Sequence, residues 1–271
     1  MYQINSDVIA PIPFFPSARP TGKKIKEKPQ FSDSIVVADS HYTVGLACEP
    51  RQINELLRLR YQVFNVELGN APADFFGIEM DEFDATSHHL IVTENASGKI
   101  IGGYRIRTAE MHEFYSSNEF NLEDLPKNIL RESVEIGRAC IALEHRNGKV
   151  LFLLWKGLAQ YIRQTKKRYL FGCCSIFSTD FADGIRALRQ LEKDGFLHEN
   201  LRVSPKSKTS AGNLQCCDEQ IELPKLFKTY LRIGAKVCSP PMLDTEFGTI
   251  DFFVIFDSEK INEKYRKMFF G

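Results

Sequence analysis

The chain has 271 residues, 43% of them hydrophobic and 26% charged, enough for one sizeable core in an ordinary soluble globular protein. Its 35 Lys and Arg balance 35 Asp and Glu, so no global field points to nucleic acid or to an anionic membrane. No apolar run approaches the roughly 18 to 20 residues of a spanning helix. The seven cysteines include two adjacent pairs and no zinc-type spacing, which reads as reduced thiols in a cytoplasmic chain without a metal site.

In chain order, residues 1–40 read as a tail. Five prolines and the cluster Lys23, Lys24, Lys26 and Lys28 cannot form a packed core, and the start lacks the basic and apolar regions of a signal peptide. Tethering is the expected role, with weak contact of Ile12, Phe14, Phe15 and the lysines with a membrane surface or an acidic partner as the alternative. Residues 41–271 are expected to form one domain. A strand is predicted over 42–47, followed by a helix opened by Pro50. Ile53, Leu56, Leu57, Arg60 and Phe64 share one stripe of that helix, so Arg60 faces the core and needs a carboxylate, a polar ligand group or an exit to water for its guanidinium. Residues 65–86 are irregular and acidic, with Glu67, Glu79 and a D-x-x-D of Asp81 and Asp84 just before a strand at 88–93. A hairpin then leads to a strand over 99–108, where Arg105 and Arg107 share the face of Gly103. Gly102-Gly103 is read as a bulge or a close backbone approach.

The stretch 131–163 organises the rest. A strand over 134–142 carries Glu135 and Arg138, and a turn at Asn147-Gly148 leads to a helix with Leu151, Leu154, Trp155, Leu158 and Ile162 on one face. Two charges in an apolar strand demand a partner or a function. Three residues apart, they would point to opposite faces unless a bulge at Gly137 shifts the phase. Beyond this helix come a buried strand (169–177), a helix (183–193), a polar loop (199–220), a helix (222–233) stopped by Gly234 and a last strand (249–256). Strands and helices in this order give an α/β or α+β layer around one mixed sheet.

The charged outliers in order are Arg60-x-x-x-Phe64, Asp81-x-x-Asp84, Arg105 and Glu135-x-x-Arg138. This series resembles the acyl-homoserine-lactone synthases, a branch of the GNAT acyltransferases. A longer likeness, through LRYQVFNVE, DEFDATSHHLIV, EIGRACI, LLWKGLAQYI, FGCCS and MLDTEFGTIDFFVIF, is to the ornithine-lipid acyltransferases, often labelled hemolysin-like. It covers roughly residues 42–256.

The resemblance implies a GNAT fold in which two strands splay at a bulge to admit a pantetheine arm. It implies backbone contacts to that arm near Cys140, Ile141 and Ala142, with Arg146 close by. Arg60, Phe64, Glu67, Asp81, Asp84, Arg105 and Arg138 would bind substrate on the acceptor side and at the carrier docking surface. The implied reaction is Nα-acylation of free ornithine by a 3-hydroxyacyl thioester of acyl carrier protein, with no cofactor beyond that co-substrate. An amine attacks only when neutral, so Glu135 would take its proton, directly or through water. Arg146-Asn-Gly-Lys-Val-Leu stands where coenzyme-A-using relatives carry Q/R-x-x-G-x-G/A, which disfavours coenzyme A as donor. The alternatives are another acceptor such as glycine or lysine, and a carrier-binding protein without activity. Covalent catalysis by Cys173 or Cys174 is disfavoured, because a buried thiol in an apolar strand is inert.

Overall fold

The computed structural model describes residues 35–69, 76–207 and 220–271. Its elements run β1 (Val36–Ala38), β2 (Tyr42–Leu46), α1 (Pro50–Tyr61), β3 (His88–Glu94), β4 (Ile100–Thr108), α2 (Lys127–Arg131), β5 (Ser133–Ile141), α3 (Lys149–Thr165), β6 (Tyr169–Ile176), α4 (Phe181–Lys193), α5 (Lys225–Ile233), β7 (Lys236–Val237), β8 (Met242–Asp244), β9 (Thr249–Asp257) and α6 (Glu263–Phe270). Nine strands form one sheet in the order β1-β2-β3-β4-β5-β6-β9-β7, with β8 also on β9. Every pairing is antiparallel except β5 with β6. This is the GNAT acyltransferase type of fold, α+β with helices flanking one mixed sheet.

One face of the sheet carries the main core. The α3 stripe is buried there, with Leu154, Trp155, Leu158 and Ile162 against Val44, Leu90, Ile106 and Val134. The helix is buried more widely than one stripe: Tyr161 reaches β3, its hydroxyl 2.9 Å from His88 Nδ1, while α6 covers the side of Phe152 and Trp155. Trp155 meets Phe269 of α6 at 5.6 Å between ring centroids and Tyr230 of α5 at 5.7 Å. The final helix, which the sequence pattern did not show, therefore closes the core.

The opposite face is split. Leu56 and Val63 pack on Ile91, Ile100 and Cys140, while Phe114, Phe120, Phe171 and Phe253 form a second patch. Gly103 allows α1 to close on the sheet: a Cβ there would stand 2.7 Å from Leu56 Cδ1, so close approach is the glycine's role.

Three expected boundaries move. The folded part begins before residue 41, since Ile35 is buried and Val36–Ala38 pairs with β2; residues 1–34, including the membrane-contact reading, lie outside the described residues. α5 starts at Lys225 rather than 222 because Pro224 occupies its N-cap. The chain also turns π-helical at Gln62–Glu67, beyond α1.

Candidate active site

β5 and β6 run side by side for three residue pairs, ending at Glu135 opposite Phe171. Beyond that point β6 keeps its partner β9 through Ile176, while β5 keeps β4 through Ile141. The two central strands therefore part in the middle of the sheet, and β5 turns from buried to half-buried over Ile136–Ala139. The last contact before the parting is tight: a Cβ on Gly172 would lie 2.3 Å from the Ile136 carbonyl oxygen. Only glycine fits there.

The bulge is present, one residue later than expected. Gly103 pairs with Cys140 and Arg105 with Gly137, so Arg138 and Ala139 together oppose Tyr104. Arg138, not Gly137, takes the left-handed backbone, with φ 51°. A non-glycine residue held there stores on the order of 1 kcal/mol or more. The phase shift puts Glu135 and Arg138 on the same face, as the sequence required.

Arg138 Nε donates to Glu79 Oε1 at 3.0 Å and Nη2 to Asp81 Oδ2 at 3.0 Å. Its guanidinium also lies over the rings of Tyr115 (4.5 Å) and Phe247 (4.6 Å). Arg105 Nη1 reaches Asp81 Oδ1 at 2.5 Å and Asp84 Oδ1 at 3.4 Å. Arg60, only 1% exposed, donates to Glu79 and, at 2.6 Å, to Asp84 Oδ1. Three arginines thus meet three carboxylates in one buried lattice. Burial alone would raise the Asp84 carboxyl, but Arg60, Arg105 and the Asp81 backbone N–H hold it down at about 2. Glu79, which carried no role in the sequence reading, is a full member.

Among the described residues Arg107 pairs with no carboxylate. It donates to the carbonyls of Phe83, Met111 and Glu113 and to the hydroxyls of Thr86 and Ser87, and so ties the 83–87 turn to the segment after β4.

Glu135 is 4% exposed. Its Oε2 accepts the Tyr115 N–H at 2.7 Å, and its Oε1 accepts the Ser116 N–H at 2.6 Å and the Ser116 Oγ–H at 2.5 Å. Burial pushes its carboxyl up, and these donors oppose the shift. The carboxylate thereby fixes the turn Tyr115–Asn118, which forms one wall of a cavity.

That cavity, about 300 Å³, adjoins Arg138 and is lined by Asp81, Tyr115, Glu119, Arg138 and Asp244 among others. Glu82 and Glu246 add two more carboxylates, so five acids face one arginine. A larger cavity of about 510 Å³ lies at Arg163, Lys166 and Arg168. It belongs to the end where β5 and β6 are still paired, away from the parting. Of the expected substrate residues, Asp81 and Arg138 line the acid-rich cavity, whereas Arg60, Asp84 and Arg105 stand behind it in the lattice. Phe64 packs beside the α1 core. Glu67 pairs with Arg146 Nη2 at 2.6 Å, and Arg146 Nε reaches the Ile141 carbonyl at 2.8 Å.

The Ala142 N–H is bonded to the Ile101 carbonyl at 2.8 Å, and strand alternation turns the Ile141 N–H away from β4 toward the opened side. Burial pushes the Cys140 thiol up to about 12 and the Cys173 and Cys174 thiols upward as well, which leaves all three inert near neutral pH. Asp251 is a further buried acid, on β9 opposite Ser175. The side-chain ligand atoms of Glu119, Cys173 and Asp251 lie within 4.8 Å of one another. No helix among the described residues is long and apolar enough to cross a membrane.

A family model described as an acetyltransferase (GNAT) domain matches residues 59–156, which contain the whole charged lattice and the parting strand β5. The L-ornithine N(alpha)-acyltransferase of Rhodobacter capsulatus is 31% identical over 252 residues, covering 87% of this chain and 97% of the relative. The glycine N(alpha)-acyltransferase of Bacteroides thetaiotaomicron is 26% identical over 228 residues, covering 72% of this chain and 65% of that one. Among solved structures, the AHL synthase LasI superimposes with a TM-score of 0.48 at 15% identity, over 86% of this chain and 96% of that one.

Proposed function

The chain belongs to the L-ornithine N(alpha)-acyltransferase family, and on that premise we propose that it transfers a 3-hydroxyacyl group from acyl carrier protein to the α-amine of ornithine. The observation that carries this reading is the parting of β5 and β6 beside the acid-lined cavity. A pantetheine arm enters where the strands separate, and an amide carbonyl of the arm meets the Ile141 N–H, which is turned away from β4. Arg146, at the end of β5, meets the single phosphate of the carrier arm. That phosphate asks less of the loop before α3 than a pyrophosphate would.

The acceptor occupies the cavity. Its carboxylate faces Arg138, and its positive charge is balanced by the surrounding acids. The α-amine must lose a proton before attack. Glu135 is reached through the Ser116 hydroxyl, already 2.5 Å from Oε1, so it accepts the proton by relay rather than by direct contact. The tetrahedral oxyanion is met by backbone N–H groups at the Arg138 bulge. Coenzyme A as donor, and glycine as acceptor as in the Bacteroides relative's name, are the readings to be separated from this one.

The test is mass spectrometry of purified protein incubated with 3-hydroxyacyl carrier protein or acyl coenzyme A and, in turn, ornithine, lysine and glycine. Product from carrier protein and ornithine is the expected result. Product only with glycine overturns the acceptor, and product only with coenzyme A overturns the donor.

A further inference from the structure

The five carboxylates around the cavity are not equivalent. Asp81 is bound by Arg105 and Arg138. Asp244 accepts the backbone N–H groups of Glu246 (2.8 Å) and Phe247 (3.1 Å). Glu82 and Glu246 are exposed. Glu119 differs from all four: it is 8% exposed, its Oε2 accepts no hydrogen bond among the described residues, and its carboxyl meets only Cys173 and the buried Asp251 behind it, with no cation. Behind it stands Asp251, 4% exposed, whose Oδ1 accepts the Thr249 hydroxyl at 3.0 Å. Neither acid forms an ion pair among the described residues.

Two buried carboxyls this close repel each other when both are ionised, and burial pushes both toward the protonated form. An arriving cation would reverse that balance and pair with both carboxylates. We propose that Glu119, backed by Asp251, is the counter-ion for the side-chain ammonium of a diamino acid acceptor, and therefore the residue that separates ornithine-like acceptors from neutral ones. This rests on the acyltransfer reading above and adds the basis of its selectivity. An acceptor with an alkyl side chain would place a methyl group against a pair of acids and leave them without a cation. A site built to bond a polar group discriminates against such an analogue far better than an apolar pocket discriminates by size.

The experiment compares ornithine with norvaline, the same amino acid without the δ-amine, using full-length protein and 3-hydroxyacyl carrier protein. The readout is the ratio of the two kcat/KM values, which does not depend on the fraction of active enzyme. The wild type should favour ornithine by at least about 100-fold, and Glu119→Gln should reduce the ratio below about tenfold, mainly through KM for ornithine. Asp251→Asn, the second variant, should reduce it in the same direction. An unchanged ratio in both variants overturns the proposal even where overall turnover falls, because that pattern marks a structural or proton-transfer role. Activity lost to a chelator and restored by a divalent cation overturns it too, since Glu119, Cys173 and Asp251 would then hold a metal. A wild type that acylates neither compound overturns the reading of ornithine and carrier protein as substrates, and this proposal with it.

Discussion

Arg60, Arg105 and Arg138 meet Glu79, Asp81 and Asp84 as three cations and three anions, while Glu119 and Asp251 bring two buried acids together with no cation among the described residues. The first group is complete before any substrate arrives. Its charges are engaged with one another, and its effect is to lock α1, the 79–84 loop, β4 and the β5 bulge into one rigid wall. The second group is incomplete, and a group left incomplete in a cavity is poised for a ligand. Of the charged outliers of the sequence, Asp81 and Arg138 line the cavity, whereas Arg60, Asp84 and Arg105 are engaged with carboxylates and arginines behind it.

The largest test of this contrast breaks the complete lattice. Arg60→Ala leaves Glu79 and Asp84 buried with one cation fewer, and removing one partner of a buried ion pair costs about 3–5 kcal/mol. Urea unfolding of that variant should show a midpoint lowered accordingly. An effect below about 1 kcal/mol would mean that water reaches the lattice.

Glu135→Gln is the next largest. The Gln amide must turn its NH2 toward either the Tyr115 or the Ser116 N–H, which leaves a buried donor unpaired at about 1–3 kcal/mol. The wall formed by Tyr115–Asn118 should loosen and turnover should fall. Ser116→Ala keeps both backbone bonds and removes only the hydroxyl. If it lowers kcat by tenfold or more with near-normal stability, the proton passes through Ser116. If kcat is unchanged, the relay is wrong.

Acid titration gives a comparable effect with a defined sign. The folded-state pKa of Asp84 is depressed to about 2, against about 3.9 for an unfolded aspartate. Its contribution of about 2 kcal/mol is complete well above pH 4 and is lost as pH falls from there through 2. Chemical unfolding followed from pH 6 down to pH 2.5 should show that loss, and Asp84→Asn should flatten it.

Much of this was legible in the sequence. The period of α3 gave its buried face, the α1 stripe gave a core-facing arginine, and two charges in an apolar strand gave a bulge. The sequence points to Gly137 for the bulge because this glycine lies between the two charges and a glycine inside a strand marks a bulge. The lattice instead holds Arg138 there through Glu79 and Asp81. Glu119 escaped because residues 109–131 have no period to distinguish a buried acid from a solvated one. Asp251 did leave a signal, a lone acid inside the apolar run Ile250–Phe256, comparable with the one that drew attention to Glu135. The closing helix Glu263–Phe270 is short and weakly patterned, and its burial comes from α3 rather than from its own sequence.

The smallest effect has the opposite sign and separates the two groups most sharply. The Glu119 carboxyl is raised by burial first, then by Asp251 and Asp244, so the folded state holds a proton that the unfolded state releases near pH 4.3. Stability therefore falls as pH rises from about 4.3 toward the raised pKa. Glu119→Gln removes this penalty. Unlike every change in the arginine lattice, it should stabilise the free protein, by on the order of 1 kcal/mol at pH 8 and by nothing measurable at pH 4. Thermal unfolding at the two pH values checks this, and saturating ornithine should shrink the advantage by stabilising the wild type preferentially. A variant that is destabilised equally at both pH values would show that Glu119 is a satisfied structural acid, and the contrast between the two groups would then fail.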